Sequence, residues 1–353
     1  MLFAVLLAPV VYAQRDAAAA AGQERTDELR RPGFEANFNL DYEAARRSFE
    51  ELARLHPDDP AGALFLATNL WLKTLNDTRR LQSSLYNSDS FYVESDEKID
   101  PQLLAQFSGY IKTAKSLATA RLKAEPKNVE ALYMLGAIDG VKSAFAASVE
   151  RKFLSALRDG SSSVDRRREV LKLDPSYIDA ELTLGLYDYV VGDLPLPIKM
   201  LASLTGIRGS KRRGLEKIER VARESKWSAD NAKIVLMAIR RREGRFDEAS
   251  ALAQELSRKY PRNYLFQVEA ADALVSHAAA QAVVNPSASA KAETEALALF
   301  DALLRDQSVR RVAPSLDIIH FRYGEALMSA RQPERAAAQF LLCTAAARLN
   351  RSW

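Results

Sequence analysis

The feature that most constrains this chain is a segment that recurs. N-L-D-Y-E-A-A-R-R-S-F-E-E-L-A-R-L-H-P-D-D-P (39–60), E-G-R-F-D-E-A-S-A-L-A-Q-E-L-S-R-K-Y-P-R-N (243–263) and A-R-Q-P-E-R-A-A-A-Q-F-L-L-C (330–343) share one pattern. Each runs turn, alanine, then apolar residues three and four apart, which places one apolar stripe along a helix. In the first two a proline follows, ending the helix and opening the next turn. A unit of this size cannot bury its stripe alone and must stack on a neighbour of the same kind. Composition agrees: 14 Gly and 13 Pro in 353 residues are too few for a turn about every ten residues, as an all-β chain requires.

These residues resemble the tetratricopeptide repeat (TPR), a helix–turn–helix unit of 34 residues. The family places small residues where the two helices cross, at positions 8 and 20, and proline at position 32. With Pro57, Pro126, Pro175 and Pro261 at the last of these, position 8 of the next helix falls on Ala67, Gly136, Gly185 and Ala271. The residues before it are Leu66, Leu135, Leu184 and Ala270. Position 20 falls on Ala45, Ala114, Ala249 and Ala336, with Phe49 and Phe340 four residues after the first and last. The resemblance implies an all-α, right-handed superhelical solenoid of about seven hairpins over residues 26–353, with first helices starting near 26, 60, 129, 178, 230, 264 and 317. Two of those intervals are 34 residues and the others longer, so insertions are expected. They are read as a loop over Leu81–Asp100, turns at Asp159–Ser163 and Asn285–Ser289, and an added amphipathic helix over 194–206. The last helix has no polar helix after it, which leaves an apolar end.

Residues 2–13, L-F-A-V-L-L-A-P-V-V-Y-A, form an uncharged apolar run with small residues before a cut after Ala13. It is short of the roughly 20 residues needed to span a bilayer, and it reads as a signal peptide over 1–13, although no Lys or Arg precedes it. Residues 14–25 form a leader, and the expected location is periplasmic or secreted.

Signs of chemistry are sparse. One cysteine, Cys343, and three separated histidines, His56, His277 and His320, exclude a disulfide framework and leave no metal cluster. His56 precedes a helix-ending proline, where a cation suits the helix C-terminus; Cys343 and His320 are expected in helix packing. The serines at 161–163 read as a turn rather than a nucleophile. G-I-R-G-S-K-R-R-G (206–214) lacks the spacing of a phosphate loop. No catalytic residue, cofactor or metal is expected, and the chain reads as non-enzymatic.

Charge is uneven although the net is only +4. Between Arg208 and Arg245, 13 Lys or Arg face five Asp or Glu, a net of +8. One reading is a solvated helical face with pairs such as Glu216–Arg220 and Glu219–Arg223. The other is a basic patch of Arg208, Lys211, Arg212 and Arg213 that steers an acidic partner. Nucleic acid is not expected of an exported chain.

In the TPR family the first helices line a concave groove. Carried over position by position, the resemblance implies a groove of Leu64, Thr68, Trp71, Tyr133, Leu186, Tyr189, Asn231, Arg241, Arg242, Asp272, Phe321 and Glu325. The groove is either open to a partner or filled by inserted helices, with Trp71 and Tyr189 in the core. The implied function is a cell-envelope scaffold that binds an acidic or extended segment of a protein partner. The alternative is an envelope protein that binds lipid or anionic glycan at a membrane surface through the 208–245 region and the 194–206 helix. Oligomeric state is left open.

Overall fold

A computed structural model describes residues 28–81, 99–194, 196, 199–200, 208–307, 309 and 316–350. Among them all regular structure is helical. The helices are α1 (28–38), α2 (Tyr42–Leu55), α3 (Pro60–Asp77), α4 (Pro101–Ala124), α5 (Val129–Ser148), α6 (Phe153–Leu173) and α7 (Glu181–Gly192), the last entered through a 3₁₀ turn at Ile178–Ala180. They continue as α8 (Lys211–Glu224), α9 (Ala229–Arg242), α10 (Phe246–Lys259), α11 (Tyr264–Gln281), α12 (Pro286–Arg305), α13 (Leu316–Ser329) and α14 (Pro333–Asn350). Taken in pairs, the described helices make seven hairpins, and the first helices of the second to the seventh begin within three residues of the expected starts.

Local chemistry sets the boundaries. Asp59, Asp100 and Asn285 each cap a helix that opens on proline, accepting from the backbone N–H of Ala61, Gln102 and Ala288. Proline suits the first turn, where its missing N–H is no loss. His56, Glu125, Asp174 and Tyr260 end the helices that precede the four expected prolines. The crossings need small residues. Ala45, Ala67, Ala114, Ala249, Ala271 and Ala336 have no exposed surface, and a Cβ added to Gly185 would lie 2.8 Å from Ile218 Cγ1. The end hairpins repeat one device: Gly33 receives the Phe49 ring and Gly324 the Phe340 ring. The core is correspondingly divided into clusters strung along the chain, as a stack of units requires.

Two expectations need correction. The turn proposed at 159–163 lies within α6, and the one proposed at 285–289 is the cap and first turn of α12. In α6 Gly160, Ser162 and Ser163 lie against α5: Ser163 Oγ donates to Gly136 O at 2.7 Å and Ser162 Oγ to Asp139 Oδ2 at 2.8 Å. Their small size serves a close helix crossing rather than a bend. Asn285 is the cap of α12. The signal peptide, the leader, nearly all of the 81–100 loop and most of the 194–206 segment lie outside the described residues. No described helix is long and apolar enough to cross a membrane. Helix α14 leaves Leu341 and Leu342 exposed, and α13 leaves Met328 exposed.

The stack also returns on itself. The turn after α1 meets the turn between α10 and α11, where Asn263 Nδ2 donates to Phe38 O at 2.7 Å and Arg262 pairs with Asp41 at 3.2 Å. Phe38 stacks on Tyr260 with ring centroids 4.7 Å apart, and Arg79, just after α3, pairs with Asp317 of α13 at 3.4 Å.

Candidate binding cavity

Where the first five hairpins face one another, their inner helices leave a recess of about 540 Å³. Its floor is apolar: Phe34 of α1 lies against the rings of Phe65 (4.7 Å) and Phe49 (5.6 Å), beside Leu64 of α3. One wall is built on α5 and the turn before α7. Arg167 of α6 lies 3.7 Å over the Tyr133 ring while its Nη1 donates to Tyr133 O at 2.9 Å. Tyr177 packs 4.7 Å from Tyr133, and its hydroxyl donates to Glu130 Oε2 at 2.5 Å. The opposite wall is the turn between α8 and α9. Asp179 accepts from Ser225 Oγ at 2.7 Å and from the Ser228 N–H at 2.9 Å, which fixes that turn and carries Trp227 inward. Arg30 of α1 covers the Trp227 ring at 3.6 Å.

Burial governs the electrostatics. It pushes the Glu130 carboxyl above the usual carboxylate range, opposed by the Tyr177 hydroxyl bond and by Arg30 and Arg121. Burial and the adjacent Glu130 push the Tyr177 hydroxyl far above the ordinary phenol value. The lining carries four carboxylates, Glu130, Asp174, Asp179 and Glu224, against two cations, Arg30 and Lys226. Among the described residues no group of His, Cys, Asp and Glu is placed to hold a metal.

Of the expected groove, Leu64, Tyr133 and Asn231 reach this recess. Trp71 and Tyr189 do not present an open face. Trp71 packs on the N-terminal core with Nε1 donating to Ser148 Oγ at 2.9 Å, and Tyr189 is 4% exposed with its hydroxyl on Glu243. Both are packing residues, because the long α5 and the close α7–α8 crossing cover them. Thr68 is tied to its own helix through Leu64 O; Leu186 and Phe321 are exposed. Arg241, Asp272 and Glu325 meet in a second place, on the inner edges of α9, α11 and α13. Arg241 pairs there with Glu269 at 2.7 Å, and Arg322 with Asp272 at 3.6 Å and Glu325 at 2.9 Å.

The basic patch disperses. Lys211 pairs with Asp193 and Glu243 at 3.1 and 3.2 Å, Arg242 with Asp193 at 3.1 Å, and Arg212 with Glu216 at 3.1 Å. The partners are largely supplied from outside 208–245, by Glu181, Asp188, Asp193, Glu248, Glu255 and Glu269. The expected pairs are exchanged for others: Arg220 takes Glu224 on its own helix and Glu181 of α7, and Glu219 takes Arg240 of α9. Sequence reasoning missed Arg30, Phe34, Tyr177 and Trp227. The last two lie in turns, where no periodicity marks an inward side chain.

Seven consecutive hairpins with small residues at their crossings define a TPR-type helical-repeat fold. No family model and no curated protein matches the chain. Solved structures that resemble it include TTC0263, a thermophilic TPR protein of Thermus thermophilus, at 16% identity over 71% of this chain and 99% of its own, TM-score 0.38. A TPR protein of Parabacteroides merdae is 13% identical over 91% of this chain and 93% of its own, TM-score 0.33. The human IFIT1 dimer with m7Gppp-AAAA is 14% identical over 88% of this chain and 66% of its own, TM-score 0.42. The fold assignment rests on this chain's own hairpin geometry, and what those proteins bind is theirs alone.

Proposed function

We infer that the chain is a non-enzymatic scaffold that holds a segment of a protein partner against the inner faces of its hairpins. The observation that carries this is the recess of Phe34, Tyr133, Tyr177 and Trp227. Aromatic and arginine side chains dominate binding energy at protein interfaces, and about 540 Å³ lies within the range of clefts that take a ligand. Its titratable side chains are occupied structurally: Glu130 by Tyr177, Asp179 by Ser225 and Ser228, Asp174 by Ser176. The excess of carboxylates favours an extended segment with neutral or basic side chains over the acidic one suggested by the charge run. The apolar run over 2–13 supports export and a role in the cell envelope; intact mass of the protein from its compartment tests this, with a mature terminus after Ala13 as the expected result.

A photo-crosslinking residue tests the docking. Placed at Asn231, an exposed lining position, it should yield adducts with one polypeptide, mapped by mass spectrometry. The same residue at Thr294, exposed on α12, should not. Equal adducts from both positions, or none at Asn231, would remove the recess as the docking site.

A further inference from the structure

The four cations of the expected basic patch part company in the structure. Lys211 and Arg212 turn to carboxylates of their own. Arg208 and Arg213 border a separate pocket of about 290 Å³ between the third and fourth hairpins. Two cations that the sequence did not single out join them, Arg168 from α6 and Lys217 from α8.

The charges there do not cancel. Asp188 of α7 is the one carboxylate among the described lining residues; it is 8% exposed, with Lys217 at 2.7 Å and Arg213 at 4.0 Å. Asp165 meets Arg168 at the rim, 3.0 Å away. Arg208 makes no ion pair among the described residues. Among the described residues, four cations against two carboxylates leave an excess of two positive charges at this concavity. Asp188 accepts from Lys217 Nζ at 2.7 Å and holds it in place before any ligand arrives, whereas Arg213 lies 4.0 Å away with its side chain exposed. The remaining wall is apolar and aromatic, Leu184 and Tyr187, with the Arg168 guanidinium 5.2 Å from the Tyr187 ring.

We propose that this pocket binds the phosphate monoester of an organic ligand, with Arg208 and Arg213 gripping the oxyanion and Tyr187 packing on the group that bears it. Guanidinium forks match tetrahedral oxyanions better than ammonium does, and a dianion balances the excess of two. The Tyr187 wall favours an ester over free phosphate. The site lies away from the aromatic recess, so this proposal stands or falls independently of the scaffold reading.

Isothermal titration with phenyl phosphate, alongside vesicles containing phosphatidic acid, tests it. Wild type should bind phenyl phosphate saturably at one site. Arg208→Ser/Arg213→Ser, at two exposed side chains, should weaken binding about tenfold or more with an unchanged melting temperature. Arg212→Ser, one residue away but facing Glu216, should bind as wild type. Affinity should fall from pH 7.5 to pH 5, because the monoester takes up its second proton near pH 6. Vesicle binding lost in the same double variant would mark a lipid headgroup as the source of the phosphate; phenyl phosphate binding without vesicle binding would mark a soluble monoester. No saturable binding of either probe, or an equal loss in Arg212→Ser, overturns the proposal by showing only a diffuse basic surface.

Discussion

Asp272 is the residue whose environment has the clearest consequence. Burial raises its carboxyl to about 7; Glu269 and Glu325 push the same way, and Arg322 and Arg241 oppose them. An unfolded aspartate titrates near 3.9. Between about pH 4 and pH 7 the folded chain therefore holds a proton that the unfolded chain has released, and stability falls as pH rises through that window. The loss flattens above 7 and amounts to as much as about 4 kcal/mol, reduced by whatever water reaches the carboxyl. Asp272→Asn cannot ionise, so urea unfolding should show the variant gaining on wild type between pH 5 and pH 8. A constant difference across that range would place the Asp272 carboxyl near its ordinary value. The TPR resemblance named Arg241, Asp272 and Glu325 as groove residues, and the structure sets them in one group of charges linking α9, α11 and α13. The roles of Tyr177 and Trp227 were not legible in the sequence, since hydrogen bonds from residues more than 40 positions away hold their turns.

Helix crossings decide the element scale, and two glycines separate crowding from flexibility. Gly109 lies on the exposed side of α4, and a Cβ there meets nothing within 4 Å. Gly109→Ala should stabilise the protein by about 0.5–1 kcal/mol, because it removes only the excess freedom of the unfolded chain. Gly214 on α8 is the opposite case: its Cβ would lie 2.4 Å from Tyr189 N and 2.6 Å from Gly185 O, both backbone. Gly214→Ala must push α8 off α7 and should cost about 1–3 kcal/mol. Denaturant midpoints of the two variants test this, and a stabilised Gly214→Ala would mean that the α7–α8 crossing is looser than described. Gly214 also shows why some crossings escaped the sequence. The offset from each of Pro57, Pro126, Pro175 and Pro261 located position 8 of the helix that follows, but the residues inserted between α7 and α8 displaced the second small residue beyond any fixed offset. In α6 a Gly-Ser-Ser-Ser run, read as a turn from composition, is helical because its small side chains let α5 approach and its hydroxyls bond across.

At the scale of the molecule, a stack of hairpins with nearest-neighbour contacts alone would be open, and its ends would respond independently to load or denaturant. Here the contact between residues 38–41 and 260–263 joins hairpins more than 200 residues apart, so the stack closes back on its first hairpin. Phe38 is half-buried against Tyr260 within an apolar cluster that includes Leu256 and Phe266. Two asparagine side chains add hydrogen bonds to backbone across the seam: Asn39 Oδ1 accepts from the Arg262 N–H, and Asn263 Nδ2 donates to Phe38 O. Much of the contact's stability comes from the ring stack, with the exposed Arg262–Asp41 pair contributing little. Phe38→Ala should therefore cost about 2 kcal/mol and, more tellingly, change the shape of the protein. Scattering should report a larger radius of gyration at unchanged helical content, and hydrogen exchange should quicken at the start of α11 as well as in α1. Arg262→Ala alone should leave the radius unchanged. An unchanged radius in Phe38→Ala would mean that the hairpin stack is rigid enough to hold its curvature without the seam, and that closure follows from the crossings rather than locking them.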